Sequence, residues 1–169
     1  MNFTLDSASP ADASAIAALR NSVADDMTIR FGAGPWSVHT SQALVLKQMR
    51  ASQMLVARED GAIIGAVRLV TPHLHAFDAS AFTPAESALY VLGLAVSPER
   101  RKRGVGRMLM EATERAAHER GAQALWLDAY EHAAGAGPFY ERCGFRKVGP
   151  APGADIPLVF FEKALSVRE

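Results

Sequence analysis

Apolar positions recur along the chain with two different periods, and each switch between them marks an element. Residues 2–6 read as a short strand. Ser9-Pro10 opens a helix, with serine as its cap and proline in the first helical position. Ile16, Leu19 and Val23 recur on one face of that helix, which the spacing carries to Asp26. A second helix is predicted over residues 41–50, with Leu44, Val45 and Gln48 along it. Residues 54–58 and 62–70 read as strands joined by Glu59-Asp60-Gly61, a hairpin turn signal. Residues 71–87 hold two prolines and two histidines without a period and are predicted as a loop.

Residues 89–96 pass through eight positions without a charge, the mark of a strand covered on both faces in the middle of a sheet. Val105, Met108, Leu109, Ala112 and Ala116 follow at helical spacing, with Glu111 and Arg115 as an i,i+4 pair outside and Gly121 as the stop. Residues 125–130 read as a strand, 136–143 as a short helix, 145–148 as a strand and 158–163 as a last strand that closes the sheet. Strand, helix and strand over residues 89–130 imply a right-handed crossover. The expected class is α/β, a mixed sheet with helices packed on it, in one domain over residues 1–169.

Composition narrows the function. The chain is 49% hydrophobic and 21% charged, a globular profile rather than a disordered one. Its 18 basic residues balance 18 acidic ones, so no global charge draws it to nucleic acid or to a membrane surface. One cysteine, Cys143, excludes an internal disulfide and fits a reducing compartment. The opening Met1-Asn-Phe-Thr-Leu-Asp-Ser lacks the regions of a signal peptide, and no apolar run approaches the roughly 20 residues that span a bilayer. A cytoplasmic location is expected.

Against that neutral background, the basic run Arg100-Arg-Lys-Arg103 with Arg107 beyond it is local. It lies between the apolar strand and the helix at Val105, where helix amides and dipole favour an anion. Gly104 and Gly106 let phosphate oxygens approach the backbone, Val105 can anchor the turn in the core, and Arg101, Arg103 and Arg107 can pair with phosphates. The same residues also fit a plain solvated turn or a nucleic-acid patch.

The pattern Arg101-x-x-Gly104-x-Gly106 resembles the acyl-CoA pyrophosphate loop of the GNAT N-acetyltransferase superfamily. The flanks strengthen the resemblance: Leu94-Ala95-Val96-Ser97-Pro98-Glu99 precedes the loop, and Phe139-Tyr140-Glu-Arg-Cys-Gly144-Phe145 follows it, with Ala136 at the usual spacing. These motifs cover residues 88–148. The resemblance implies a GNAT fold, in which a mixed, mostly antiparallel sheet has splayed middle strands and flanking helices, with acetyl-CoA as co-substrate and no metal. Backbone groups of Leu94 and Val96, either side of Ala95, would pair with the pantetheine arm. A backbone N–H near Leu94 would stabilise the oxyanion, and the amides of Lys102, Arg103, Gly104, Val105, Gly106 and Arg107 would hold the pyrophosphate. Tyr140 would be the general acid for the departing thiolate, against the plain alternative of an aromatic that packs its helix. Phe139 reads as core.

Two departures from the family pattern concern the chemistry. Many members carry glutamate where this chain has Tyr90 and Leu92, and asparagine where it has Ala133. Glu86, Asp128, Glu131 and His132 are the candidate bases, beside a base acting through water. Cys143 has no partner histidine in sequence, which favours direct transfer over an acyl-enzyme. On the acceptor side, Trp36, Tyr90 and Asp128 are the candidate pocket residues, Trp36 also fitting a core cap. Asp25 and Asp26 suit either a cationic amine or an ordinary charged helix end. His73, His75 and Asp78 lack metal-ligand spacing. The expected activity is acetyl transfer to a primary amine of a small molecule or peptide, by a monomer or homodimer. A non-catalytic acyl-CoA sensor of the same fold is the alternative, and zero net charge disfavours a nucleic-acid-binding protein.

Overall fold

A computed structural model of the chain describes residues 3–72, 79–152 and 155–166. The elements, in order, are β1 (Phe3–Ser7), α1 (Ala13–Phe31), α2 (Gln42–Ala51), β2 (Gln53–Glu59), β3 (Ala62–Val70), β4 (Ala88–Val96), α3 (Val105–Glu119), β5 (Ala124–Tyr130), α4 (Gly137–Arg142), β6 (Arg146–Ala151) and β7 (Leu158–Ala164). The seven strands are hydrogen-bonded in the order β1-β2-β3-β4-β5-β7-β6. β1–β2, β2–β3, β5–β7 and β6–β7 are antiparallel, whereas β4 and β5, joined through α3, are parallel. β7 lies between β5 and β6 rather than at the rim, so β6 takes the edge.

The chain forms two compact units, one of Met1–Val70 with Leu92–Thr113 and one of Thr71–Val91 with Glu114–Glu169. In the first, Ala13, Ile16, Ala17 and Leu19 of α1 meet Val45 of α2, Met54 and Val56 of β2, Ala66 of β3 and Ala95 of β4. Each fully buried Ile or Val here contributes about 1.5–3 kcal/mol. α1 runs past Asp26 to Phe31 because nothing breaks it before Gly32, whose φ of +79 suits glycine and whose N–H donates to Thr28 O at 2.9 Å. Ser9 and Pro10 begin a separate 3₁₀ turn, Pro10–Asp12, ahead of α1.

Asp12 closes that turn. Its carboxylate accepts from Ser9 N at 2.8 Å and from Arg58 Nη2 on β2 at 2.9 Å. The Arg58 hydrogen bond first, and those from Ser9 after it, bring its pKa from the ordinary 3.8 to about 2. A lowered folded pKa stabilises the fold above the unfolded value, and this contribution disappears as pH falls through about 2. In melting curves recorded from pH 5 to 2, Asp12→Asn is expected to lower Tm at pH 5 and flatten its acid dependence. Parallel curves for the two proteins would contradict this.

In the second unit, Phe82 stacks on Trp126 at 4.5 Å and meets Phe160 at 4.7 Å and Tyr90 at 6.4 Å. Glu162 of β7 is 7% exposed and accepts from Thr83 N and Oγ1, with Arg146 beside it. Gly121 ends α3 with φ +70, and Ala122 N donates back to Ala117 O at 2.9 Å. Glu111 pairs with Arg107 at 3.6 Å rather than with the expected Arg115. Among the described residues no helix is long and apolar enough to cross a membrane.

Candidate functional site

The turn between β4 and α3 is built around two left-handed residues, Lys102 (φ +60) and Gly104 (φ +86). Val105, 1% exposed, pins the start of α3 into the core. The first helical hydrogen bond runs from Met108 N to Gly104 O at 3.0 Å, so the amides of Val105, Gly106 and Arg107 have no acceptor within the helix. Among the described residues, none apart from its chain neighbours comes within 4 Å of the position a Gly104 Cβ would take. A positive helix end therefore faces open space, as an anion site requires.

Side-chain charge is organised differently from amide polarity. Arg101 is hydrogen-bonded to Asp26 of α1, and Arg100 to Glu59 of β2. Arg103 sits 3.3 Å from the same Glu59 and lies over the Phe3 ring, 5.7 Å from its centre. These partners hold Asp26 and Glu59 below the usual carboxylate range, chiefly through the Arg101 and Arg100 hydrogen bonds. Lys102 and Arg107 are exposed. The arginines thus brace the turn on α1 and β2, while Asp26 serves as one of the braces.

Immediately before the turn, β4 is irregular. Gly93 has φ +62 and is exposed although it lies in mid-strand. Leu94 and Val96 are half-buried, and Ala95 is buried at 7% exposure.

The second unit gathers tyrosines around one carboxylate. β4 and β5 register Tyr90 against Trp126, which places Tyr90 on the face of Trp126, Asp128 and Tyr130. The Tyr90 hydroxyl donates to Asp128 Oδ2 at 2.5 Å. Burial, then the Asp128 charge, pushes the hydroxyls of Tyr90, Tyr130 and Tyr140 up. Tyr140, 8% exposed, projects from α4 among Phe139, Phe145 and Phe161, at ring distances of 5.4, 5.9 and 6.2 Å. Phe139 is only half-buried, because α4 is six residues long and offers one buried position, Tyr140.

Most of the remaining candidates have local partners. Glu131 is joined to Lys147 at 2.6 Å, His132 Nδ1 accepts from Ala134 N at 3.0 Å, and Glu86 is exposed. Cys143 is half-buried at the end of α4. Trp36 is 8% exposed, its indole N–H donates to Gly32 O at 2.9 Å, and its ring covers Gly34 so closely that a Cβ there would sit 2.6 Å away. Asp25 holds His39 at 2.6 Å. His73, His75 and Asp78 lie outside the described residues, among which no cluster of three His, Cys, Asp or Glu could hold a metal. Sequence reasoning missed the Tyr90–Asp128 link, which becomes visible only once β4 and β5 are in register, and it missed the carboxylate braces.

The first unit thus carries a turn of free helix amides after an irregular strand, and the second a buried tyrosine on a short helix, within a seven-stranded, mostly antiparallel sheet. The Acetyltransferase (GNAT) family matches residues 16–145, and the chain belongs to it. Similar solved structures include Salmonella typhimurium yncA with its cofactor acetyl-CoA (TM-score 0.73, 19% identity, covering 98% of this chain and 95% of that one). The ribosomal-protein-S18-alanine N-acetyltransferase from Escherichia coli gives TM-score 0.72 at 15% identity, over 99% and 97% of the two chains. An aminoglycoside 6'-N-acetyltransferase complexed with coenzyme A gives 0.69 at 17% identity, over 98% and 99%. No match is found among curated proteins.

Proposed function

We propose that the protein is an acetyl-CoA-dependent N-acetyltransferase that moves the acetyl group directly to a primary amine of a small molecule or peptide. The observation that carries the reading is the open amide turn at Gly104, which suits the diphosphate of CoA better than a side-chain cation cluster would. The amides of residues 102–107 take the diphosphate, and exposed Lys102 and Arg107 add charge beside it. The braced Arg101 and Arg103 keep the turn in shape. Backbone groups of Leu94 and Val96, flanking Ala95, pair with the pantetheine arm.

The reaction needs three services from the chain. A backbone N–H near Leu94 stabilises the oxygen that becomes negative when the amine nitrogen bonds to the thioester carbon. Asp128 removes the proton that the amine nitrogen loses. Of the four candidate bases, Asp128 is the one whose charge acts on the Tyr140 hydroxyl, which supports placing base and acid about one centre. Tyr140 gives its proton to the departing CoA sulfur as the C–S bond breaks, and recovers one from solvent. Tyr90 holds Asp128 in place through their hydrogen bond.

Titration calorimetry with acetyl-CoA tests the donor half. Gly104→Val puts a β-branched residue at φ +86, which costs about 1–2 kcal/mol. The Kd is expected to weaken roughly tenfold as the turn distorts. Absence of any heat with the wild-type protein would overturn the reading. Thiol release across a panel of amines tests the transfer half.

A further inference from the structure

Arg20 and Arg68 differ from the arginines of the turn. Arg20 projects from α1; its Nη1 donates to Gln48 Oε1 at 2.7 Å, its Nη2 lies 4.0 Å from Met54 Sδ, and its buried Nε–H has no acceptor among the described residues. Arg68 on β3 donates to Ser52 Oγ at 3.2 Å, and Ser52 Oγ donates in turn to Gln48 O at 2.6 Å. Every one of these partners is neutral. Arg58, Arg100, Arg101 and Arg103, by contrast, all rest on carboxylates. Burial and then the Arg68 charge bring Arg20 from its ordinary 12.5 to about 10, and burial lowers Arg68 too. Two half-buried cations close enough for one charge to act on the other, with no carboxylate partner among the described residues, are unfavourable, and an anion between them would relieve both.

Gly93 gives that anion a way in. It is exposed in the middle of β4, and the Arg20 guanidinium lies over its open side, with Nη2 3.4 Å from the position of a Cβ. The next residue is Leu94, whose amide is assigned above to the reacting carbonyl.

We propose that Arg20 and Arg68 form a carboxylate subsite of the acceptor pocket, so that the acceptor is a small amine bearing a carboxylate close to its nitrogen, with a free amino acid as the simplest case. The position of the amine rests on the acetyltransferase reading; the anion subsite does not. Guanidinium groups bind carboxylates through paired N–H donors, which a lysine cannot reproduce. Consecutive Cα atoms are about 3.8 Å apart, so a carboxylate beside Gly93 and a nitrogen at Leu94 belong to one small molecule.

Two measurements test this. Arginine Nε–H resonances are followed by NMR during titration with sodium acetate and, separately, acetamide, at constant ionic strength. The Arg20→Gln and Arg68→Gln variants assign the two signals by their loss. Both signals should shift saturably with acetate and stay still with acetamide; no saturable shift overturns the subsite. Thiol release is then compared for each of the twenty common L-amino acids and its α-carboxamide. Some acids should exceed their amides at least 100-fold in kcat/KM. Arg68→Gln should raise KM for those acids about 10–100-fold without changing KM for acetyl-CoA, and Arg20→Lys should give part of that effect. Equal turnover of acids and amides overturns the acceptor role. If acetate saturates but no amine of any kind releases thiol, the transferase reading fails while the anion subsite stands.

Discussion

Tyr140→Phe is expected to lower kcat by about 10²-fold, with the Kd for acetyl-CoA close to wild type. This lies at the low end of what a positioned acid contributes, because a CoA thiolate leaves without help more readily than an alkoxide or amide. The fold should survive, since the ring keeps its contacts with Phe139, Phe145 and Phe161 and loses one oxygen. The pH profile is the sharper reading. Burial and the Asp128 charge hold the Tyr140 hydroxyl above its ordinary 10.0, so the proposed acid is still largely protonated at pH 10. Wild-type kcat should rise as the acceptor amine deprotonates and then level off, without an alkaline fall from this group. A Tyr140→Phe enzyme with full turnover from pH 6 to 10 would remove tyrosine from the mechanism.

Gly135→Ala should be the most damaging small substitution in the second unit. A Cβ at Gly135 would stand 1.8 Å from Tyr130 O and 3.0 Å from His132 O, both backbone atoms that cannot rotate away. Gly135 N also donates to His132 O at 2.8 Å, and Glu131 N donates to Pro157 O at 2.8 Å. The connection from β5 to α4 is therefore fixed at both ends. Relief requires α4 to move, and Gly137 limits that movement, because its own Cβ position is 3.2 Å from the Phe161 ring. The expected cost is about 3 kcal/mol, or a Tm lower by roughly 10 °C. kcat should fall with it, as Tyr140 rides on the displaced helix. Unchanged melting would show that the segment adapts freely.

Much of the architecture was legible because local periodicity and local chemistry agree. Val105, Leu109 and Ala116 share a helical face and are buried, and Glu59-Asp60-Gly61 makes the turn between β2 and β3, with φ +50 at Asp60 and +82 at Gly61. Family membership was legible from Leu94-Ala95-Val96, Gly104, Gly106, Phe139 and Tyr140, since these motifs are short and contiguous. The insertion of β7 between β5 and β6 was not, because hydrophobic alternation fixes a strand's face and says nothing of its neighbours. The partners of charged groups were hidden for the same reason. Arg101 and Asp26 are separated by 75 residues, and Tyr90 and Asp128 by 38. The basic run looked like free positive charge, whereas Arg100, Arg101 and Arg103 are engaged with carboxylates within the fold.

Those engagements change the thermodynamics of recognition. A turn held by Asp26, Glu59 and the Phe3 ring loses its conformational entropy when the chain folds, and little remains to be lost when a ligand arrives. Association should then be fast, with its salt dependence confined to exposed Lys102 and Arg107, because arginines already neutralised within the protein release few counter-ions. Asp26→Asn would release Arg101, and Glu59→Gln both Arg100 and Arg103; either raises the local positive potential, yet the proposed diphosphate should bind more slowly, because the turn has first to find its shape.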